Sequence, residues 1–262
     1  MIHAFPKSKW IAWGGGGLFG IIAVIIAWRW IKTRQMGLMN QVLVVGLIAF
    51  IAVNVAIYIA RIVAMKEYQQ KLLLLYRDLD PQAFLKTVEP LKTVRMDAAN
   101  HCTLLVHVAN GYLYAGQPQK ALEILSQVQP PEKALEMKGL VASNQATSLL
   151  AVGKIDEAQK VIQELKQIVA DKNCKKEFVL KARHALGYLQ ICIDTAKGKH
   201  VNMEVLQKDF ESCKAPLHQL DVLYQIALVQ RRNKDKQGLE KSKNYLRTHS
   251  GKTCYAKYAD AL

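Results

Sequence analysis

The chain has 262 residues, 51% hydrophobic and 22% charged, with a formal net charge of +15. These averages are those of an ordinary globular protein. Five widely spaced cysteines, odd in number and without a CxxC pair, argue against a disulfide framework and for small buried thiols.

The averages hide an asymmetry. From Met1 to Lys66 there is no Asp or Glu, and the bases are Lys7, Lys9, Arg29, Lys32, Arg34, Arg61 and Lys66. Two uncharged apolar runs lie in this stretch, at 11–28 and 42–60. Roughly 20 residues rising about 1.5 Å each cross a hydrocarbon core of about 30 Å. Two such runs bracketed by bases predict a transmembrane hairpin over 1–64. All four tryptophans, Trp10, Trp13, Trp28 and Trp30, stand at the ends of the first run, where an indole keeps its N–H wet. The first run is too long for the core of a cleaved signal and lacks a small-residue cleavage site, so it reads as a retained anchor. Lys7, Lys9, Arg61, Lys66 and Lys71 on one side outnumber Arg29, Lys32 and Arg34 in the turn. The expected location is therefore the cell (inner, cytoplasmic) membrane, with two spans and both termini cytoplasmic. Gly14 to Gly17 reads as a flexible entry into the first helix, or as a close-approach site for another helix. Asn54 is the one strongly polar side chain in the second run. No ionisable group accompanies it, which leaves no basis for transport.

Beyond Lys66 the periodicity is helical. A helix continuing out of the second span and a restart at Asp80-Pro81 (N-cap, then first helical residue) make 65–97 a helical linker. Two stretches then repeat one order: apolar helix, Gly116 or Gly153, a short polar turn, and a second helix opening near Ala121 or Ala158. Longer, less regular pairs follow around Gly198 and around 233–237. The expected fold is all-α, a two-helix hairpin followed over 98–262 by an array of helical hairpins.

That pattern resembles the tetratricopeptide repeat, whose period is about 34 residues. Ala109 and Ala146 match its small position in the first helix and Tyr112 and Leu149 its large one. Ala121 and Ala158 match the small position opening the second helix, and Leu125 and Ile162 the large one after it. The family's Trp is absent, replaced by Leu105 and Ala142. The resemblance covers 106–165 clearly and implies a curved α-solenoid with a concave binding face. It places Thr103, His107, Asn110, Leu113, Ser143, Asn144 and Thr147 on that face. Asn110 and Asn144 fall where carboxylate-clamp members of the family carry asparagine. Val106, Ala185 and Leu189 stand where other clamp residues are expected.

No HExxH, Walker, dinucleotide-binding or nucleophile-elbow motif is present, and none of the seven histidines stands at zinc spacing from a cysteine. His101-Cys102 is a packing pair, because adjacent helical residues point apart. No enzyme, cofactor or metal is expected. Arg231, Arg232, Lys234, Lys236, Lys241, Lys243 and Arg247 crowd the last hairpin, a solvated face or a patch for anionic lipid headgroups. Nucleic acid is not an expected partner, since no binding motif supports it. The leading expectation is a membrane-anchored scaffold that binds a protein or peptide. The alternative is a membrane-complex subunit that assembles through its hairpin, with the soluble domain as spacer.

Overall fold

A computed structural model describes residues 5–32 and 37–262, and every regular element among them is helical. Arg34 of the basic turn lies outside the described residues. The chain divides into two units. The first is Met1–Gln70 with Thr93–Asp97, and the second is Lys71–Lys92 with Ala98–Leu262.

In the first unit α1 (Pro6–Trp10) passes through a π-helical turn (Ile11–Gly15) into α2 (Gly16–Lys32), and α3 (Leu38–Tyr76) follows. Two helices, Lys7–Trp30 and Val42–Tyr76, are long and apolar enough to cross a membrane. Their apolar side chains lie open: Leu18, Ile21, Ile25, Ile26, Leu43, Leu47 and Phe50 are all exposed, as are the four tryptophans. Gly14 to Gly17 stays helical rather than forming a flexible entry. A Cβ added at Gly16 would lie 3.4 Å from the Ala56 Cβ, so the glycine serves close approach within the chain. Ala56, Ala60 and Ala64, four residues apart on one face of α3, are buried. The Asn54 amide donates to the Phe50 carbonyl of its own helix at 2.8 Å.

In the second unit α4 (Pro81–Val88) opens as expected: Asp80 caps it, accepting from the Ala83 N–H at 3.0 Å, with Pro81 at the first position. The segment expected as a linker belongs largely to the folded unit. Phe84, Leu85 and Val88 are buried, and a Cβ at Gly111 would come within 2.8 Å of both Phe84 and Leu85. That glycine lets α4 lie directly against α5 (Ala98–Tyr114).

Helix pairs then follow: α5 with α6 (Pro118–Ser126), and α7 (Leu135–Ala151) with α8 (Ile155–Ala170). Next come α9 (Lys176–Ala196), α10 (Met203–Ser212), α11 (Pro216–Arg232) and α12 (Lys236–His249). Successive first helices α5, α7, α9 and α11 neighbour one another. Every residue expected to pack the first two pairs is buried: Ala109, Tyr112, Ala121, Leu125, Ala146, Leu149, Ala158 and Ile162. Ala142, Ala146, Ile162 and Leu165 join Leu189 and Ile193 of α9 in one cluster. Small side chains let the backbones close and the large ones fill the space between them. The third pair differs. Helix α10 packs chiefly on α11, and the Gln219 amide donates to the Cys213 carbonyl at 2.7 Å to hold it there.

The four turns between paired helices share one geometry. Gly116, Gly153, Gly198 and Lys234 have φ of 78°, 80°, 69° and 60°. In each, the next N–H reaches back five residues: Gln117 to Tyr112, Lys154 to Leu149, Lys199 to Asp194, and Asp235 to Gln230, at 2.8–3.0 Å. This left-handed helix stop satisfies otherwise orphaned carbonyls.

A final helix, α13 (Tyr255–Ala261), has no counterpart in the sequence reading. The loop before it returns to the start of the unit. The Lys252 N–H donates to the Leu79 carbonyl at 2.9 Å and its ammonium meets Asp80 at 2.5 Å. The Cys254 N–H donates to the Tyr114 carbonyl at 2.8 Å.

Candidate functional site: a tyrosine-lined cavity

Because the last loop is tied to Leu79, Asp80 and Tyr114, α13 lies across the side that the first helices share. The space left is a cavity of about 670 Å³. Leu113 and Tyr114 of α5, Thr147 and Leu150 of α7, and Tyr188 and Cys192 of α9 form part of its wall. Asp221, Tyr224 and Gln225 of α11 and Tyr255 and Tyr258 of α13 also line it, with the exposed Arg231 and Arg232.

Asp221 organises this wall. Its carboxylate accepts from the Tyr114 hydroxyl at 2.9 Å and from the Tyr255 hydroxyl. Burial pushes the Asp221 carboxyl up to about 6, against the two tyrosine hydrogen bonds and the nearby His218, which lower it. Burial, and then the Asp221 charge, raise Tyr114 and Tyr255 well above the ordinary phenol range, so both remain donors. Burial likewise raises Tyr188. Four ring pairs, Tyr114–Tyr255, Tyr224–Tyr255, Tyr224–Tyr258 and Tyr255–Tyr258, lie 5.4–6.3 Å apart by centroid, the range of favourable edge and offset packing.

The cavity thiols are unreactive by environment. Burial pushes Cys192 up to about 12 and Cys254 to about 11, so neither offers a thiolate near neutral pH. All five cysteines are free, and four are buried. Two polar atoms of the wall, Thr195 Oγ1 and Gln225 Oε1, have no hydrogen-bond partner among the described residues.

The residues expected on the concave face divide. Leu113 and Thr147 line the cavity. Asn110 and His107 instead meet the end of α3: the Asn110 amide donates to the Tyr76 hydroxyl at 3.0 Å, and the His107 ring stands edge-on to Tyr76. Burial lowers His107 to about 4. Thr103, Asn144 and Thr147 donate to the carbonyls of Ala99, Leu140 and Ser143 one turn back, at 2.7–3.0 Å, and Ser143 is half-buried. Asn110 and Asn144 thus each commit one amide hydrogen bond within the fold.

The expected basic patch also divides. Arg231 donates to the Ala261 carbonyl at 3.4 Å and Arg247 pairs with Asp260 at 2.8 Å, so both hold α13. Lys243 pairs with Glu240 at 3.6 Å with its side chain only 15% exposed. Arg232, Lys234, Lys236 and Lys241 are exposed.

No protein-family model, curated protein or solved structure matches the chain.

Proposed function

We propose that this protein is a membrane-anchored binding protein: its two apolar helices span a bilayer, and its helical domain, a tetratricopeptide-like array, holds a segment of another protein in the tyrosine-lined cavity. The observation that carries the reading is the wall itself. Four first helices contribute to one cavity that combines apolar surface, aromatic hydroxyls and two unpartnered polar atoms, the usual make-up of a recognition site. The anchor rests on the exposure of its apolar side chains. Burying each large aliphatic side chain in lipid is worth about 1.5–3 kcal/mol, and water offers no equivalent. The excess of bases at the ends of the hairpin over those in its turn favours a cytoplasmic domain.

The alternative is assembly through the hairpin; Gly16 facing Ala56 of the same chain and Asn54 bonding within its own helix favour the cavity reading over it.

The test is site-specific photocrosslinking in intact membranes, with the photoreactive residue at Thr147 on the wall or at Lys160 on the exposed side of α8. A protein captured from Thr147, not from Lys160, and lost when Leu150→Trp fills the cavity supports the reading. Capture that survives Leu150→Trp, or none from Thr147, overturns it. Extraction at alkaline pH tests the anchor separately: a spanning protein stays in the membrane pellet.

A further inference from the structure

Beside the cavity wall, three helices bring two imidazoles and a carboxylate together. His184 of α9 and His218 of α11 both direct Nε2 at Asp209 of α10, at 3.6 Å to Oδ1 and 3.3 Å to Oδ2. The three ligand atoms lie within 4.8 Å of one another. A tetrahedral ion with bonds of about 2.0–2.1 Å holds its ligand atoms about 3.3 Å apart. The two imidazoles approach different oxygens of Asp209, so closing all three on one ion takes a turn of His184, whose side chain is 64% exposed.

The other two ligands are held in place. The His218 ring packs edge-on against Tyr188 with centroids 5.4 Å apart, and both His218 and Asp209 are largely buried. The Gln219 amide, next to His218, donates to the Cys213 carbonyl and fixes the end of α10 against α11. This also accounts for α10 leaning on α11 rather than on α9: that placement carries Asp209 over His218.

We propose that His184, Asp209 and His218 form a binding site for one divalent transition-metal ion of the zinc class. Two imidazoles and one carboxylate suit borderline ions, and a single carboxylate is too few oxygens for calcium or magnesium. Three protein ligands leave a fourth position open on the exposed His184 side, to water or to a side chain of a bound partner. The ion ties α9 to α10 and α11, the pair of neighbours the helix turns leave weakly joined. Sequence spacing hid the site, since the ligands stand 25 and 9 residues apart on three helices.

The test is equilibrium dialysis of the full chain in detergent against Zn²⁺ buffered by a chelator, with Co²⁺ absorption as a report on coordination. One ion per chain, with affinity falling at least ~10-fold in His184→Ala and in Asp209→Asn, supports the site. Tetrahedral Co²⁺ bands lost in His184→Ala support it further. His184→Ala is the decisive variant because its exposed side chain leaves folding intact, which circular dichroism checks. Zinc bound equally by wild type and His184→Ala, or no binding above the chelator, overturns it.

Discussion

The Tyr255 hydroxyl donates to the Asp221 carboxylate, joining the last helix of the chain to the wall of the cavity. The same carboxylate takes the Tyr114 hydroxyl from α5, so one acidic group links three helices far apart in sequence. Tyr255→Phe removes one donor and keeps the ring packing. The expected cost is about 1–3 kcal/mol, that of leaving a desolvated carboxylate short of a partner. Thermal unfolding measures it, and limited proteolysis should release α13 earlier in the variant. A variant as stable and as resistant as the wild type would show that α13 is held by its other contacts, among them Arg231 and Arg247.

Asp221 makes stability depend on pH in an unusual direction. Its folded value of about 6 stands above the ordinary 3.8. Between those values the folded chain keeps a proton that the unfolded chain has lost. Stability from this group therefore falls as pH rises from about 4 to 6 and is level above, by at most about 3 kcal/mol. Asp221→Asn should abolish that slope. Urea unfolding of wild type and variant at several pH values between 4 and 7 checks it, and parallel curves would sink the assignment.

His107 acts with the opposite sign. Burial lowers it to about 4 from the ordinary 6.5. The unfolded chain takes up a proton first as pH falls, so this contribution is complete above about pH 6.5 and is lost on acidification toward 4, by up to about 3 kcal/mol. His107→Gln cannot titrate and should flatten the acid limb in the same urea experiment. An acid limb unchanged in the variant would place the sensitivity elsewhere.

What was legible in the sequence follows from where each signal is local. The apolar runs, the Asp80 cap and the small and large positions from Ala109 to Ile162 are set by neighbours within a helix or one turn away, and they recur in the structure. Helix α13 was missed because its seven residues, Tyr255–Ala261, show no apolar stripe of their own. Its place comes from Lys252 and Cys254 meeting Leu79 and Tyr114 across more than a hundred residues. The register of α5 puts Asn110 and His107 on one face, which by sequence alone reads as a groove. Only the fold shows that Tyr76 already covers that part of the face.

The turn at Lys234 is the clearest case of a shared backbone with an unshared residue, and it predicts a stabilising change. Three of the four equivalent positions are glycine, which adopts positive φ without a clash. Lys234 holds φ of 60° with a Cβ in place. Its hydrogen bonds match those of the glycine turns, so the geometry is imposed by the helices on either side. Lys234→Gly should relieve the clash and stabilise by about 0.5–1 kcal/mol, after the extra freedom glycine gains in the unfolded chain. Gly153→Ala should cost about 1 kcal/mol, since the new Cβ meets nothing within 4 Å and the penalty is purely conformational. Gly116→Ala should cost more, because its Cβ would press to 3.2 Å from the Cys254 Cβ as well. Urea midpoints of the three variants should therefore rank Lys234→Gly above wild type, then Gly153→Ala, then Gly116→Ala. A Lys234→Gly midpoint below wild type would mean that the side chain contributes more at this turn than its backbone conformation costs.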